Sequence, residues 1–142
     1  MILEIWTILN PIIKTLIYLT ALYSIGSVLF KFHFQQYFNK EISLYCRKII
    51  KSNSLLGILI SVAGFVSISG NLGGDIGSIF ELELIVLSLE TMLGKSCILL
   101  LIGFIFLNLS YYFQSLLTNI LQLIGVIILV LSFIIVGHSL SK

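Results

Sequence analysis

Four side chains in the second half of the sequence are of types that could hold a soft metal: Glu90, Met92, Cys97 and His138. A thiolate, a thioether and an imidazole are the donors that suit Cu(I), and a carboxylate beside them would attract a cation. On one continuous helix Glu90, Gly94 and Cys97 fall at spacings of four and three, hence on one face, with Met92 close by on another. His138 joins them only if the last helix of the chain returns to the same level. No tight ligand spacing ties the four together, and each has a plainer reading. Cys97 can be a small core residue, Met92 an interfacial hydrophobe, and His138 a helix C-terminal residue favoured by the helix dipole.

Other chemistries find less support. The sequence has no nucleophile with a base and an orienting group, no glycine-rich phosphate loop and no paired intramembrane carboxylates, so no enzymatic activity is expected. Gly70-Asn71-Leu72-Gly73-Gly74 lacks the strand before it and the helix spacing after it of a nucleotide fingerprint, and is expected to be a turn. With a net charge of +2 and no block of basic residues, nothing points to nucleic acid.

The elements that must position these residues follow from the solvent. Hydrophobic residues make up 58% of the 142 and charged residues only 10%, against about 45–50% and about 25% in soluble domains. Water is the wrong solvent for such a chain, and a lipid bilayer the right one. The length allows one domain, 1–142, with ~20 mostly apolar residues for each crossing. Four stretches qualify, Pro11 to Phe32, Ser54 to Gly70, Ser96 to Phe113 and Leu116 to Val136, giving an all-α four-helix bundle. Pro11 suits the first turn of its helix. Met1 to Asn10 lacks the basic start of a signal peptide, and the apolar run continues to Phe30 without a cleavage site, so it reads as a retained helix. Residues 76–90 carry Glu81 and Glu83 within an apolar run and are expected to lie as a helix in the membrane interface. The main alternative has this segment crossing in place of a neighbour.

Charge sets the orientation. Lys31, Lys40, Arg47, Lys48 and Lys51 stand between the first two stretches against Glu41 alone, whereas Asp75, Glu81, Glu83 and Glu90 stand between the second and third against Lys95. Because lysine and arginine favour the cytoplasmic side, the first loop is inside and both termini are outside, on the periplasmic face of a bacterial inner membrane. Lys14 can reach the outer headgroups through its long stem. This topology puts His33, beside Lys31, Phe34 and Tyr37, at the inner interface and His138 at the outer one, so one chain cannot hold a haem between them. A haem-binding membrane redox protein would need axial ligands from two chains. Cys46 and Cys97 fall on opposite sides and are expected as free thiols or ligands.

Packing should come from small residues and buried amides. Gly57, Ser61, Gly64 and Ile68, with Ser67 beside them, form a near-smooth stripe that another helix backbone can approach closely. Asn108 and Gln122 lie about equally far from the turn near Ser115 and are expected to pair across it.

Two short motifs carry a family resemblance. Ser88-Leu89-Glu90-Thr91-Met92-Leu93-Gly94-Lys95 runs into an apolar helix and resembles the Thr-x-x-Gly opening of a helix in the copper resistance protein D family. Gly137-His138-Ser139 resembles the Gly-His-small motif that ends a helix in the first half of those proteins. The order of apolar helix, basic loop with Arg47 and Lys48, and Gly/Ser-rich helix also agrees. The resemblance covers nearly the whole chain but one half of a typical member. It implies copper transport or resistance at the inner membrane with a periplasmic copper-binding protein as partner, and it carries over His138, less surely Thr91 and Gly94. Four helices enclose little of a pathway, so a homo-oligomer or a partner membrane subunit would complete one. The competing reading is an accessory or assembly subunit of a larger membrane complex, with the smooth face of the second helix packed on its partner.

Overall fold

The computed structural model describes the backbone of residues 2–113 and 116–139 and the side chains of residues 5–113 and 116–136. Helix α1 spans Ile2–Phe34, a 3₁₀ turn Gln35–Tyr37 follows, and α2 runs from Lys40 to Gly73. A second 3₁₀ turn, Gly77–Phe80, leads into the short α3, Leu82–Glu90, and then α4, Met92–Leu109, and α5, Leu116–Ser139. Helices α1, α2, α4 and α5 are long and apolar enough to cross a membrane. Helix α3, with nine residues, is not: at 1.5 Å per residue it falls far short of ~30 Å of hydrocarbon. The expected interfacial helix over 76–90 is two pieces, broken at Glu81, which is extended.

The ends of α1, α2 and α4 depart from the apolar stretches for local reasons. Pro11 lies inside α1 instead of opening it. The residues before it continue the helix, and buried Trp6 anchors them by packing its ring where Gly70 of α2 leaves room. Asn39 starts α2 by accepting a hydrogen bond from the Ile42 amide at 2.8 Å, so the basic stretch expected as loop is helical. The helix ends at Gly74, which adopts φ +80°, a left-handed conformation open to glycine. The run 70–74, expected as a turn, is therefore the last turn of α2, residues 70–73, with its cap at Gly74. Helix α4 stops at Leu109, not Phe113, because Tyr111 and Tyr112 fold back on the carbonyls of Asn108 and Leu109.

The bundle is a curved row in the order α1, α2, α4, α5, with α1 and α5 meeting more sparsely. The expected small-residue stripe of α2 is its buried face: Gly57, Ser61, Gly64 and Ser67 are all covered. A Cβ at Gly57 would fall at the ring of fully buried Phe104, so α2 and α4 approach as closely as they do only because that position is bare. The stripe is thus spent inside the chain, on α1 and α4. Ile17, Ala21, Leu100, Phe104, Leu107 and Leu129 make the centre of the core. Leucines and isoleucines such as Leu19, Leu59, Ile127 and Ile134 face outward, where hydrocarbon tails are the fitting neighbour.

Candidate functional site

Helix α1 begins and α5 ends at one end of the bundle, together with residues 74–91; this is the terminal end. The α1–α2 and α4–α5 turns share the other, basic end.

At the terminal end a cleft of about 410 Å³ is lined by all four long helices. Its rim is polar, with Asn10 and Lys14 from α1, Asn71 from α2 and Thr91 at the start of α4. Its depth is apolar, reaching Ile17, Tyr18, Leu100 and Phe133. Tyr18 and Phe133 stack at 5.2 Å between centroids, joining α1 to α5 below the cleft. Two hydroxyls on the wall are turned away from any guest: Ser67 donates to the Gly64 carbonyl at 2.8 Å and Ser96 to the Ser132 carbonyl at 2.9 Å.

Cys97 lies on this wall, 8% exposed and free of any disulfide. A Cβ at Gly64 would meet its sulfur at 3.4 Å, so the thiol sits against bare backbone of the stripe. The other expected ligands are placed differently. Met92 is exposed at the first residue of α4 and Glu90 is exposed at the last residue of α3. Neither lines the cleft. The single helix face expected to carry Glu90, Gly94 and Cys97 does not exist, because the chain breaks at Thr91. Thr91 is extended and caps α4, its hydroxyl accepting from the Gly94 amide at 2.9 Å and donating to the Ser88 carbonyl at 2.7 Å. Gly94 is needed there because the Ser88 carbonyl occupies the place of its Cβ. The Thr-x-x-Gly motif is thus the joint between two helices. The backbone of α5 carries His138 to the terminal end, two residues, about half a turn, beyond cleft-lining Val136; its side chain lies outside the described residues. Among the described residues no three His, Cys, Asp or Glu side chains gather as a metal-binding group. His33 is exposed at the basic end, edge-on to Phe34 at 4.6 Å.

The basic end holds a polar seam that the sequence reading missed. Lys31, 7% exposed, reaches from α1 to α5, donating to Gln122 Oε1 at 2.8 Å and Asn119 Oδ1 at 3.3 Å. Gln122 is buried too, and its amide nitrogen donates to Ser110 Oγ at 3.3 Å. The expected Asn108–Gln122 pair therefore does not form. Asn108 instead faces α2, donating to Ser54 Oγ at 3.3 Å and the Lys51 carbonyl at 3.5 Å. Arg47 donates to the carbonyls of Tyr111 and Phe113, at 2.6 and 2.9 Å, just past the end of α4, where cations suit the helix dipole. Lys51 lies over the rings of Tyr111 and Tyr112, 4.1 and 4.9 Å from their centroids. Asn53 ties α2 to α1 through Ser24 Oγ at 2.6 Å and the Thr20 carbonyl at 2.9 Å. The cations of this end are thus held by neutral oxygens and aromatic faces. One signal was available: Lys31 interrupts an apolar run, and Asn119 and Gln122, three apart, share a face at its level.

Compared with known protein families, curated proteins and solved structures, the chain has no match. What it is on present grounds is an all-helical chain with four helices fit to cross a membrane and a cleft at the terminal end.

Proposed function

We propose that this chain handles copper in a bacterial inner membrane, receiving Cu(I) at the terminal end, which faces the periplasm. The observation that carries the reading is the position of Cys97, a buried thiol on the wall of the terminal-end cleft. His138, two residues beyond Val136 on α5, is the second donor. A thiolate and an imidazole make a soft pair. Lys14 is exposed at the rim, and the other polar lining side chains are neutral. Met92 and Glu90, exposed beside the joint at Thr91, act on an arriving ion or its carrier before it enters. A periplasmic copper-binding protein is the fitting donor. The motifs at Thr91 and Gly137-His138-Ser139, through the resemblance they carry, are the second support.

Capture and hand-over at the terminal end suit this geometry better than conduction along one chain. Below the cleft a cation would meet the Tyr18–Phe133 stack and then the buried ammonium of Lys31, and like charges repel strongly where water is scarce. A second copy or a partner subunit would supply any further path. The accessory-subunit reading loses the feature that favoured it, since the smooth face of α2 is already covered by α1 and α4.

Metal analysis of the detergent-purified protein loaded with Cu(I) tests the proposal. Stoichiometric copper in the natural chain, lost in Cys97→Ser and in His138→Ala, is the expected result. Copper retained in both variants sinks the site.

A further inference from the structure

The cleft at the terminal end has a second property that copper binding does not use. Its polarity changes along its length. Along α1 the lining passes from Asn10 and Lys14 to Ile17 and Tyr18, and along α2 from Asn71 to Ile68 and Gly64. At 1.5 Å per residue each run is roughly 10–12 Å deep. Among the described residues one cation, Lys14, and no acid line it. The hydroxyls of Ser67 and Ser96 already donate to backbone carbonyls, Ser67 within α2 and Ser96 across to α5, so the deep wall offers a guest little besides hydrocarbon contact and the Cys97 thiol. The volume of about 410 Å³ is within the usual size of a small-ligand site. Lys14 and Tyr18 on the α1 side are exposed, the direction from which a molecule dissolved in the bilayer would arrive.

We propose that this cleft holds a single-chain anionic amphiphile drawn from the surrounding bilayer, a fatty-acid-like molecule with its carboxylate at Lys14 and its chain laid against Ile17, Leu100 and Phe133. Three observations converge on that occupant. An apolar tail matches the depth over its first roughly 10–12 Å and leaves its far end to the bilayer, where a small polar metabolite would leave its own groups without partners. A negative head matches the Lys14 ammonium at the rim, with the side-chain amides of Asn10 and Asn71 beside it as donors. One chain matches the volume. The inference does not rest on the copper reading, since it uses Lys14 and the apolar floor and not Cys97 or His138.

The full chain in nanodiscs of neutral phosphatidylcholine, equilibrated with a diazirine-bearing long-chain fatty acid and irradiated, gives a direct readout by mass spectrometry of the labelled residues. Label concentrated on cleft residues such as Ile17 and Leu100 is expected. It should fall several-fold in Lys14→Glu, return in Lys14→Arg and stay unchanged in Lys95→Glu. The same chain presented as an uncharged monoglyceride should label several-fold less. A Ser67→Phe variant, which fills the cleft, should abolish the enrichment; because it could also disturb folding, the exposed Lys14 variants carry the test. Label spread evenly over outward residues such as Leu19 and Ile127, or equal labelling by the uncharged chain, or insensitivity to Lys14→Glu overturns the proposal. Copper content, read separately on Cys97 and His138 variants without fatty acid present, tests the copper reading by itself, so the two readings can fail separately.

Discussion

Lys31 is the most exacting residue of the chain: an ammonium, nearly all covered, in a helix fit to cross a membrane. Charges in such segments are costly and are kept where partners are at hand, here Gln122 and Asn119 across the α1–α5 seam. Replacing Gln122 with leucine leaves the cation short of its nearer acceptor, so Gln122→Leu should destabilise more than Lys31→Met, which removes the charge itself. Adding Lys31→Met to Gln122→Leu should restore part of the loss. The coupling expected from thermal unfolding in detergent is about 1 kcal/mol, in keeping with interhelical hydrogen bonds in membranes. Asp75 offers a pH test outside the spans. The Ser78 hydroxyl, and then the Ser78 amide at 2.7 Å, donate to its carboxylate and hold its pKa below the usual carboxylate range. A group depressed in the fold contributes stability above its unfolded pKa of about 3.9 and loses it as pH falls through the folded value. Hydrogen exchange of the Ser78 amide should therefore stay slow through the mildly acidic range and speed up only below it, and Asp75→Asn should remove that dependence.

At the scale of elements, two joints decide where helices stop and how close they come. The α3–α4 joint is a cap and a bare position. Thr91→Ala should cost about 1 kcal/mol, the usual worth of an N-cap, and Gly94→Ala more, since a methyl there meets the Ser88 carbonyl. Unfolding midpoints of the two variants, ranked in that order, would check it; equal or negligible losses would contradict the joint. The α2–α4 interface depends on Gly57 against Phe104. Gly57→Ala should cost about 1–3 kcal/mol by overpacking. Phe104→Leu in the same chain should recover part of it by clearing the ring.

For the molecule as a whole, the open question with the largest consequence is which way the bundle faces. Antiparallel helices put the amino and carboxyl ends of the spans at one end, and the lysine and arginine bias at the other is the ground on which a cytoplasmic basic end is proposed. A cysteine placed at exposed Phe80, in a chain otherwise without cysteine, should react with a membrane-impermeant maleimide in intact spheroplasts. One placed at exposed Lys40 should react only after permeabilisation. The reverse pattern would move the proposed copper site to the cytoplasmic side.

The composition and the four apolar stretches sufficed for the membrane architecture, because hydrocarbon demands long helices whatever their neighbours are. The small-residue face of α2 was legible for the same reason: glycine and serine at helical spacing mark close approach in any partner. Partners across the bundle were not legible. Asn108 and Gln122 stand level in sequence but face different helices, and only the packed bundle decides that α2 takes one and Lys31 the other. The ligand face through Glu90 failed similarly. Its spacing assumed a continuous helix, whereas the Thr91 cap and the close Ser88 carbonyl at Gly94 turn the chain between two helices. Of the site, Cys97 was named from its chemistry alone; that it lines a cleft shared by four helices, with Lys14 at the rim, follows from long-range packing that no local spacing encodes.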